Sequence, residues 1–142
     1  MSKKIKNLIG WLIYILILIG LVWGTPKALA YFLDTEYPMA SITSGSMWPI
    51  LKQGDLVLIK GVSSKDDIQI DDIIVYKNPK GFTIHRVINL KESSLVTKGD
   101  ANNAADKPIK YEEVIGKALT VGNKIIKIPF LGKIGLILQK NK

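Results

Sequence analysis

Residues 8–33 constrain this chain more than any other stretch. From 8 to 22 every residue is apolar, aromatic or glycine, and no charge appears until Lys27. As a helix, residues 8–33 would rise about 39 Å at 1.5 Å per residue, enough to span a bilayer with some tilt. Trp11, Tyr14, Trp23 and Tyr31 lie towards the two ends of the run, where aromatic rings sit among lipid headgroups. Lys3, Lys4 and Lys6 precede it. Basic flanks stay on the cytoplasmic side, so the expected topology has a cytoplasmic N-terminus and the rest of the chain outside. Lys27 runs mildly against this, but near a helix end it can snorkel to the interface.

The same residues also have the form of a secretory signal: a basic start, an apolar run, Pro26, then the small-x-small tripeptide Ala28-Leu29-Ala30. Against removal, the apolar run is long and Tyr31-Phe32-Leu33 continues it past the tripeptide. The expectation is therefore an anchor, residues 1–33, that is kept, with the mature chain beginning near its first residue.

The chain has 142 residues, enough for one domain with its own core. With no cysteine and only one histidine, His85, disulfides and thiolate metal sites are excluded, and a zinc site would rest on carboxylates almost alone. No cofactor and no metal are expected. The net charge of +8 is scattered: the first 33 residues hold four lysines and no acid, and the remainder carries 16 basic and 12 acidic residues. There is no aromatic-studded basic stripe, which argues against nucleic acid as a partner. A basic surface beside anionic lipid fits better.

From residue 34 the pattern changes to short apolar runs separated by turns. Residues 39–43, 56–59, 73–76, 82–88, 94–97 and 114–121 read as strands. Gly54-Asp55 and residues 77–81 read as turns, the latter closing a hairpin. Residues 61–67 and 99–107 read as polar loops, and Asp71-Asp72 separates two apolar runs. There is no long amphipathic helix and no internal repeat. The expected fold is mainly β: an irregular, barrel-like β-rich domain over residues 34–142, behind one N-terminal transmembrane helix. The tail, 125–142, is too short and too broken by lysine, proline and glycine to span a membrane. It reads equally as a last strand with a frayed end or as a segment resting on the bilayer.

Within this domain, Ser44-Gly45-Ser46-Met47-Trp48-Pro49 reads as a bend that presents a serine. Glycine permits a tight turn and proline stiffens it. Serine–glycine loops are common, and alone this one points no further than a polar loop. A serine hydroxyl is a poor nucleophile until a neighbouring base takes its proton. His85 is the one imidazole available. On a strand, Thr83, His85 and Val87 share one face and Ile84, Arg86 and Ile88 the other. An imidazole base works best when a third group fixes its tautomer. Asp100 and Asp106, both in the loop after Gly99, are candidates; aspartates in such loops also serve simply to form turns.

Taken together these residues resemble the conserved boxes of type I signal peptidases. The similar segments are Ser44-Gly45-Ser46-Met47-Trp48-Pro49, His85-Arg86-Val87, and Gly99-Asp100-Ala101-Asn102 with Asp106 beyond. Residues 51–58 and 71–76 are similar to two further family segments. Each box alone is weak; three in order behind an N-terminal anchor are specific, and the resemblance runs from about residue 8 to about 135. Histidine before Arg86, where most bacterial members have lysine, resembles the endoplasmic-reticulum and archaeal branch.

The resemblance implies a β-rich fold and a membrane-bound serine endopeptidase that cuts secretory preproteins after a small-x-small motif. It implies Ser46 as nucleophile, His85 as general base, and Asp106 orienting the histidine. Asp100 would support the site, and the Ser44 hydroxyl would help the Ser46 backbone N–H stabilise an oxyanion. It also implies, as partners, signal peptides and the lipid bilayer, with accessory membrane subunits left open. The expected location is the cell membrane, single-pass, with the catalytic domain on the extracytoplasmic face. Two departures stand out: the large inserted domain of many bacterial members and a clear second C-terminal transmembrane helix are both missing from this sequence. Two rivals compete. One is a self-cleaving, repressor-type protease, which would need a Ser–Lys pair; the anchor and His85 oppose it. The other is a membrane-anchored β-domain that only binds a partner.

Overall fold

A computed structural model describes residues 2–79 and 81–134 of the chain. It separates into two units, Met1–Phe32 and Leu33–Lys142. The first is a single helix, α1 (Lys3–Phe32), with no buried side chain. The mean hydropathy of its most apolar window is 2.3, and by length and composition it could cross a membrane. Pro26 lies inside it. Proline has no N–H to give the carbonyl one turn back, and beside it Thr25 donates its hydroxyl to the Leu21 carbonyl at 2.6 Å. The helix nonetheless continues to Phe32, so Ala28-Leu29-Ala30 and the bond that follows are helical.

The second unit is antiparallel β. Its strands are β1 (Met39–Ser41), β2 (Leu56–Gly61), β3 (Ile73–Asn78), β4 (Gly81–Leu90), β5 (Ser94–Lys98), β6 (Ile109–Lys110), β7 (Val114–Ala118), β8 (Thr120–Val121), β9 (Lys124–Ile125) and β10 (Lys127–Ile128). The main sheet runs β1-β2-β7-β3-β4-β5-β6, and β10 adds to β2. Among the described residues it is an open path with β1 and β6 at its ends, in keeping with the irregular β-rich domain expected from the strand pattern. Residues 114–121 form two strands, not one. Thr120–Val121 turns through Gly122, at φ 59°, to pair with Lys124–Ile125 as a separate hairpin. The tail contributes part of β9 and all of β10 and is described as far as residue 134; residues 135–142 lie outside the described residues.

β3 explains its own sequence. Ile73, Ile74, Val75 and Tyr76 are all buried, with β7 on one side and β4 on the other. Successive side chains point to opposite faces. Ile73 and Val75 join a cluster with Ile42, Met47, Leu51, Val57, Ile59 and Ala118. Ile74 and Tyr76 join another with Ile68, Val87 and Leu95. A strand with a core on both faces reads as a continuous apolar run.

The first cluster holds the serine bend in place. Residues 43–54 form a loop closed at its neck, where Ile42 N–H bonds the Asp55 carbonyl and Gly54 N–H bonds the Ile42 carbonyl, each at 2.9 Å. The Asp55 carboxylate is buried and accepts the Lys52 N–H at 3.0 Å and the Lys127 ammonium from β10 at 2.7 Å. Lys127 also donates to the Ile50 carbonyl at 2.7 Å. Burial works to raise the Asp55 pKa, but these donors outweigh it and hold the carboxyl below its usual range. A carboxyl depressed in the folded state stabilises the fold above the pKa of its unfolded form, about 3.9, and loses that contribution as pH falls through the folded value. Lys127→Met strands the buried carboxylate and is expected to cost about 3 kcal/mol near neutral pH, with a smaller penalty below pH 3. Urea unfolding of the full chain in detergent at the two pH values measures the difference; equal penalties would refute it.

Candidate active site

The bend at 44–51 is built by its apolar residues. Trp48 N–H bonds the Gly45 carbonyl at 3.0 Å and Leu51 N–H bonds the Met47 carbonyl at 2.9 Å. Met47 and Leu51, four residues apart on this turn, are both fully buried, while Trp48 and Ile50 are exposed. Two core side chains thus anchor the turn from below and leave Ser46 half-exposed above.

His85 reaches Ser46 from β4. Its Nε2 lies 3.2 Å from Ser46 Oγ, and its Nδ1 lies 2.6 Å from Asp106 Oδ2. The His85 side chain is 10 % exposed, whereas the Asp106 side chain is about a quarter exposed. Strand register prepares this. His85 is paired with Ile74 of β3, and its neighbour on the same face, Val87, is paired with Thr97 of β5.

The loop after β5 carries the aspartates, and it is fixed at both ends. At its start Ala101 N–H bonds the Ser46 carbonyl at 2.8 Å. A Cβ on Gly99 would fall 2.7 Å from that carbonyl oxygen, so only glycine lets the two backbones approach. At its end Asp106 N–H bonds the Thr97 carbonyl at 2.8 Å.

The two aspartates have different neighbours. Asp106 takes the imidazole. Asp100 takes Arg86, in a two-pronged pair with Nε and an Nη nitrogen each at 2.8 Å. That pairing raises the Arg86 pKa still further, and Arg86 also donates to the Asp71 carbonyl at 2.9 Å. Because Arg86 follows His85 on β4, the Asp100 pair ties the loop to the strand that carries the imidazole. Ser44 Oγ lies 3.1 Å from Ser46 Oγ and makes a long contact of 3.5 Å with the Ser46 N–H.

The structure therefore brings Ser46, His85 and Asp106 into one line, sets Ser44 beside Ser46, and holds Asp100 one residue away on Arg86. Sequence reasoning missed the other groups on Asp106: Thr97 Oγ1 at 2.7 Å and the Tyr76 hydroxyl at 3.3 Å. The available signal was spacing: Thr97 lies two residues from Leu95 and Tyr76 two residues from Ile74, so each hydroxyl is in step with a buried apolar position. A groove runs from Ser46 between the segments 39–43 and 82–85, with Ala40, Ile42, Val75, Ile84 and Ile115 in its wall and Tyr37 and Phe82 on its rim. Among the described residues no group of His, Cys, Asp and Glu could hold a metal.

A hydroxyl, an imidazole and a carboxylate in this order are the side-chain set of serine hydrolases, here on a β-rich unit in a chain that also has one apolar helix. No family model matches the chain. Curated relatives do. The chain is 30 % identical to a signal peptidase complex catalytic subunit SEC11 of Metarhizium acridum, over 81 % of this chain and 72 % of the relative. It is 31 % identical to the protein so named in Chaetomium globosum, over 86 % and 78 %, and 29 % identical to that of Colletotrichum graminicola, over 80 % and 71 %. It belongs to the SEC11 family of signal peptidase catalytic subunits and is a hydrolase of the signal peptidase class.

Proposed function

We propose that this chain removes signal peptides from secretory preproteins. Ser46 is the nucleophile, His85 takes its proton, and Asp106 holds the imidazole in the tautomer that leaves Nε2 free to accept. The observation that carries this reading is the continuous line from Ser46 Oγ to His85 Nε2 at 3.2 Å and from His85 Nδ1 to Asp106 Oδ2 at 2.6 Å. As Ser46 Oγ attacks the carbonyl carbon, its proton passes to Nε2. The imidazolium then returns the proton to the departing amine, and a water repeats the cycle on the acyl-enzyme. The Ser46 N–H and the Ser44 hydroxyl are the donors nearest the developing oxyanion.

The substrate reading follows from the groove. β1 ends the sheet and leads through Ile42 and Thr43 into the serine bend. An extended peptide adding to that edge would direct alternate side chains into the apolar wall. In this reading the −1 and −3 side chains face the wall formed by Ala40, Ile42 and Ile84, and the small-x-small preference is the expectation to be tested there.

In the same reading, residues 1–33 are the anchor, with a cytoplasmic N-terminus, and residues 34–142 are the catalytic domain on the far face of the membrane. The likeness to the reticulum-type branch and the fungal relatives favour an internal secretory membrane over the cell membrane. The relatives' name places them in a complex, and accessory membrane subunits are proposed here on that ground.

The test uses the purified full chain in lipid vesicles with a labelled preprotein bearing alanine at −1 and −3. Cleavage at that bond is expected, and the same preprotein with tryptophan at both positions should stay whole. No cleavage of the first, or equal cleavage of both, would overturn the substrate assignment.

A further inference from the structure

We infer that Thr97 and Tyr76 are positioning residues for the reaction: they form a two-hydroxyl clamp on Asp106 that fixes the carboxylate against His85. The inference rests on the serine–histidine–aspartate reading above and adds two members to it.

Three hydrogen bonds converge on one oxygen. Asp106 Oδ2 receives His85 Nδ1 at 2.6 Å, Thr97 Oγ1 at 2.7 Å and the Tyr76 hydroxyl at 3.3 Å. Their origin is the register of three neighbouring strands. Tyr76 on β3 is paired with Thr83, and Ile74 with His85; Val87 on β4 is paired with Thr97 on β5. Paired residues share a face, and so do residues two apart on one strand. Tyr76, His85 and Thr97 therefore project from the same side of the sheet, each from its own strand.

Asp106 comes from a loop, so no strand pairing of its own fixes the direction of its carboxylate. It is also about a quarter exposed, so water competes for its oxygens. The clamp fixes that direction from the protein side. Thr97 is fully buried and Tyr76 is 5 % exposed. Neither hydroxyl can readily turn to solvent, so each is committed to a partner inside. Thr97 holds residue 106 twice, its carbonyl taking the Asp106 N–H at 2.8 Å and its hydroxyl donating to the side chain. That double hold fixes both the end of the loop and the direction of its carboxylate. Burial, with the negative Asp106 beside it, pushes the Tyr76 hydroxyl up from its ordinary pKa, so it remains a protonated donor at any working pH.

A carboxylate that accepts from both hydroxyls has its Oδ2 turned into the sheet, and Nδ1–H is the donor on the imidazole that meets it there. This sets the tautomer that leaves Nε2 as the acceptor towards Ser46. Loss of a clamp hydroxyl is expected to slow the chemical step and leave substrate binding alone, since neither residue lines the groove.

The test compares Thr97→Val, Thr97→Ser, Tyr76→Phe and Asp106→Asn in the full chain in detergent. It reads kcat and KM on the labelled preprotein and the proton resonance of the imidazole Nδ1–H. The chain has a single histidine, so that resonance has one source. Thr97→Val should lower kcat by about tenfold to a hundredfold, the value of a hydrogen bond to a charged group, with KM unchanged. Tyr76→Phe, whose bond is longer, should lower it by about threefold to tenfold. Both should move the Nδ1–H resonance upfield, and Thr97→Ser should restore rate and resonance together. Wild-type kcat with an unmoved resonance in Thr97→Val and Tyr76→Phe would overturn the clamp. So would a Thr97→Ser variant as impaired as Thr97→Val, which would assign the effect to methyl packing. Should Thr97→Val fail to fold, Tyr76→Phe decides alone by the same two readouts. Asp106→Asn separates the levels: if it is fully active, the serine–histidine–aspartate reading itself fails. If it is inactive while the clamp variants are unaffected, only the clamp fails.

Discussion

Ser46→Ala and His85→Ala are each expected to reduce kcat by about a millionfold, and the double variant by no more than either alone. The reason is that a hydroxyl and its base form one functional unit. Without the imidazole the Ser46 proton has nowhere to go, and without Oγ there is nothing for the imidazole to activate. Additive losses would mean two independent contributions, contrary to the 3.2 Å contact between them. Both variants should stay folded. Ser46 is half-exposed and the bend is held by Met47 and Leu51 below it. His85 is buried among strand neighbours, so its alanine variant leaves a cavity and some stability is lost; circular dichroism and melting temperature check that the fold survives. A catalytically dead but unfolded His85→Ala would say nothing about chemistry, and His85→Gln, closer in volume, is the companion variant.

The second large effect concerns the two aspartates. Asp106→Asn is expected to lower kcat by about ten-thousandfold, as when the orienting carboxylate of such a triad becomes an amide and can stabilise the wrong tautomer. Asp100→Asn should cost far less, about tenfold, because its partner is Arg86 and not the imidazole. What it weakens is the two-pronged bond, with both distances at 2.8 Å, that ties the loop to β4. Single-turnover rates on the labelled preprotein measure both. The reverse order would give the orienting role to Asp100 and contradict the geometry around His85.

Much of this was legible in the residues. The apolar run announced α1 because a bilayer-length segment without charge has few alternatives. The β3–β4 hairpin followed from two apolar runs around residues 77–81. Alternation on β4 correctly put Thr83, His85 and Val87 together. What was not legible depends on partners far away in sequence. No local pattern says that β7 slips between β2 and β3, so the sheet order was invisible. The Asp55–Lys127 pair spans 72 residues, and two charges that far apart in a chain of scattered charge carry no mark of each other. Thr97 and Tyr76 looked like ordinary strand formers, since threonine and tyrosine favour strands anyway. Only the register across β3, β4 and β5 shows that their hydroxyls converge. The choice between Asp100 and Asp106 likewise came from family resemblance and not from spacing: a loop of this length can turn either carboxylate inward.

If the imidazole of His85 is the base that activates Ser46, protonating that ring must stop cleavage. Because His85 is the chain's one histidine, its protonation can be followed directly by NMR in the same detergent in which cleavage is assayed. The acid limb of kcat/KM against pH reports the ionisation of the free enzyme's essential base. Its midpoint is expected to coincide with the titration midpoint of the His85 ring, cleavage being lost as the ring gains its proton. An acid limb displaced from that titration by a full pH unit, or cleavage that persists once the ring is fully protonated, would contradict the assignment of His85 as that base.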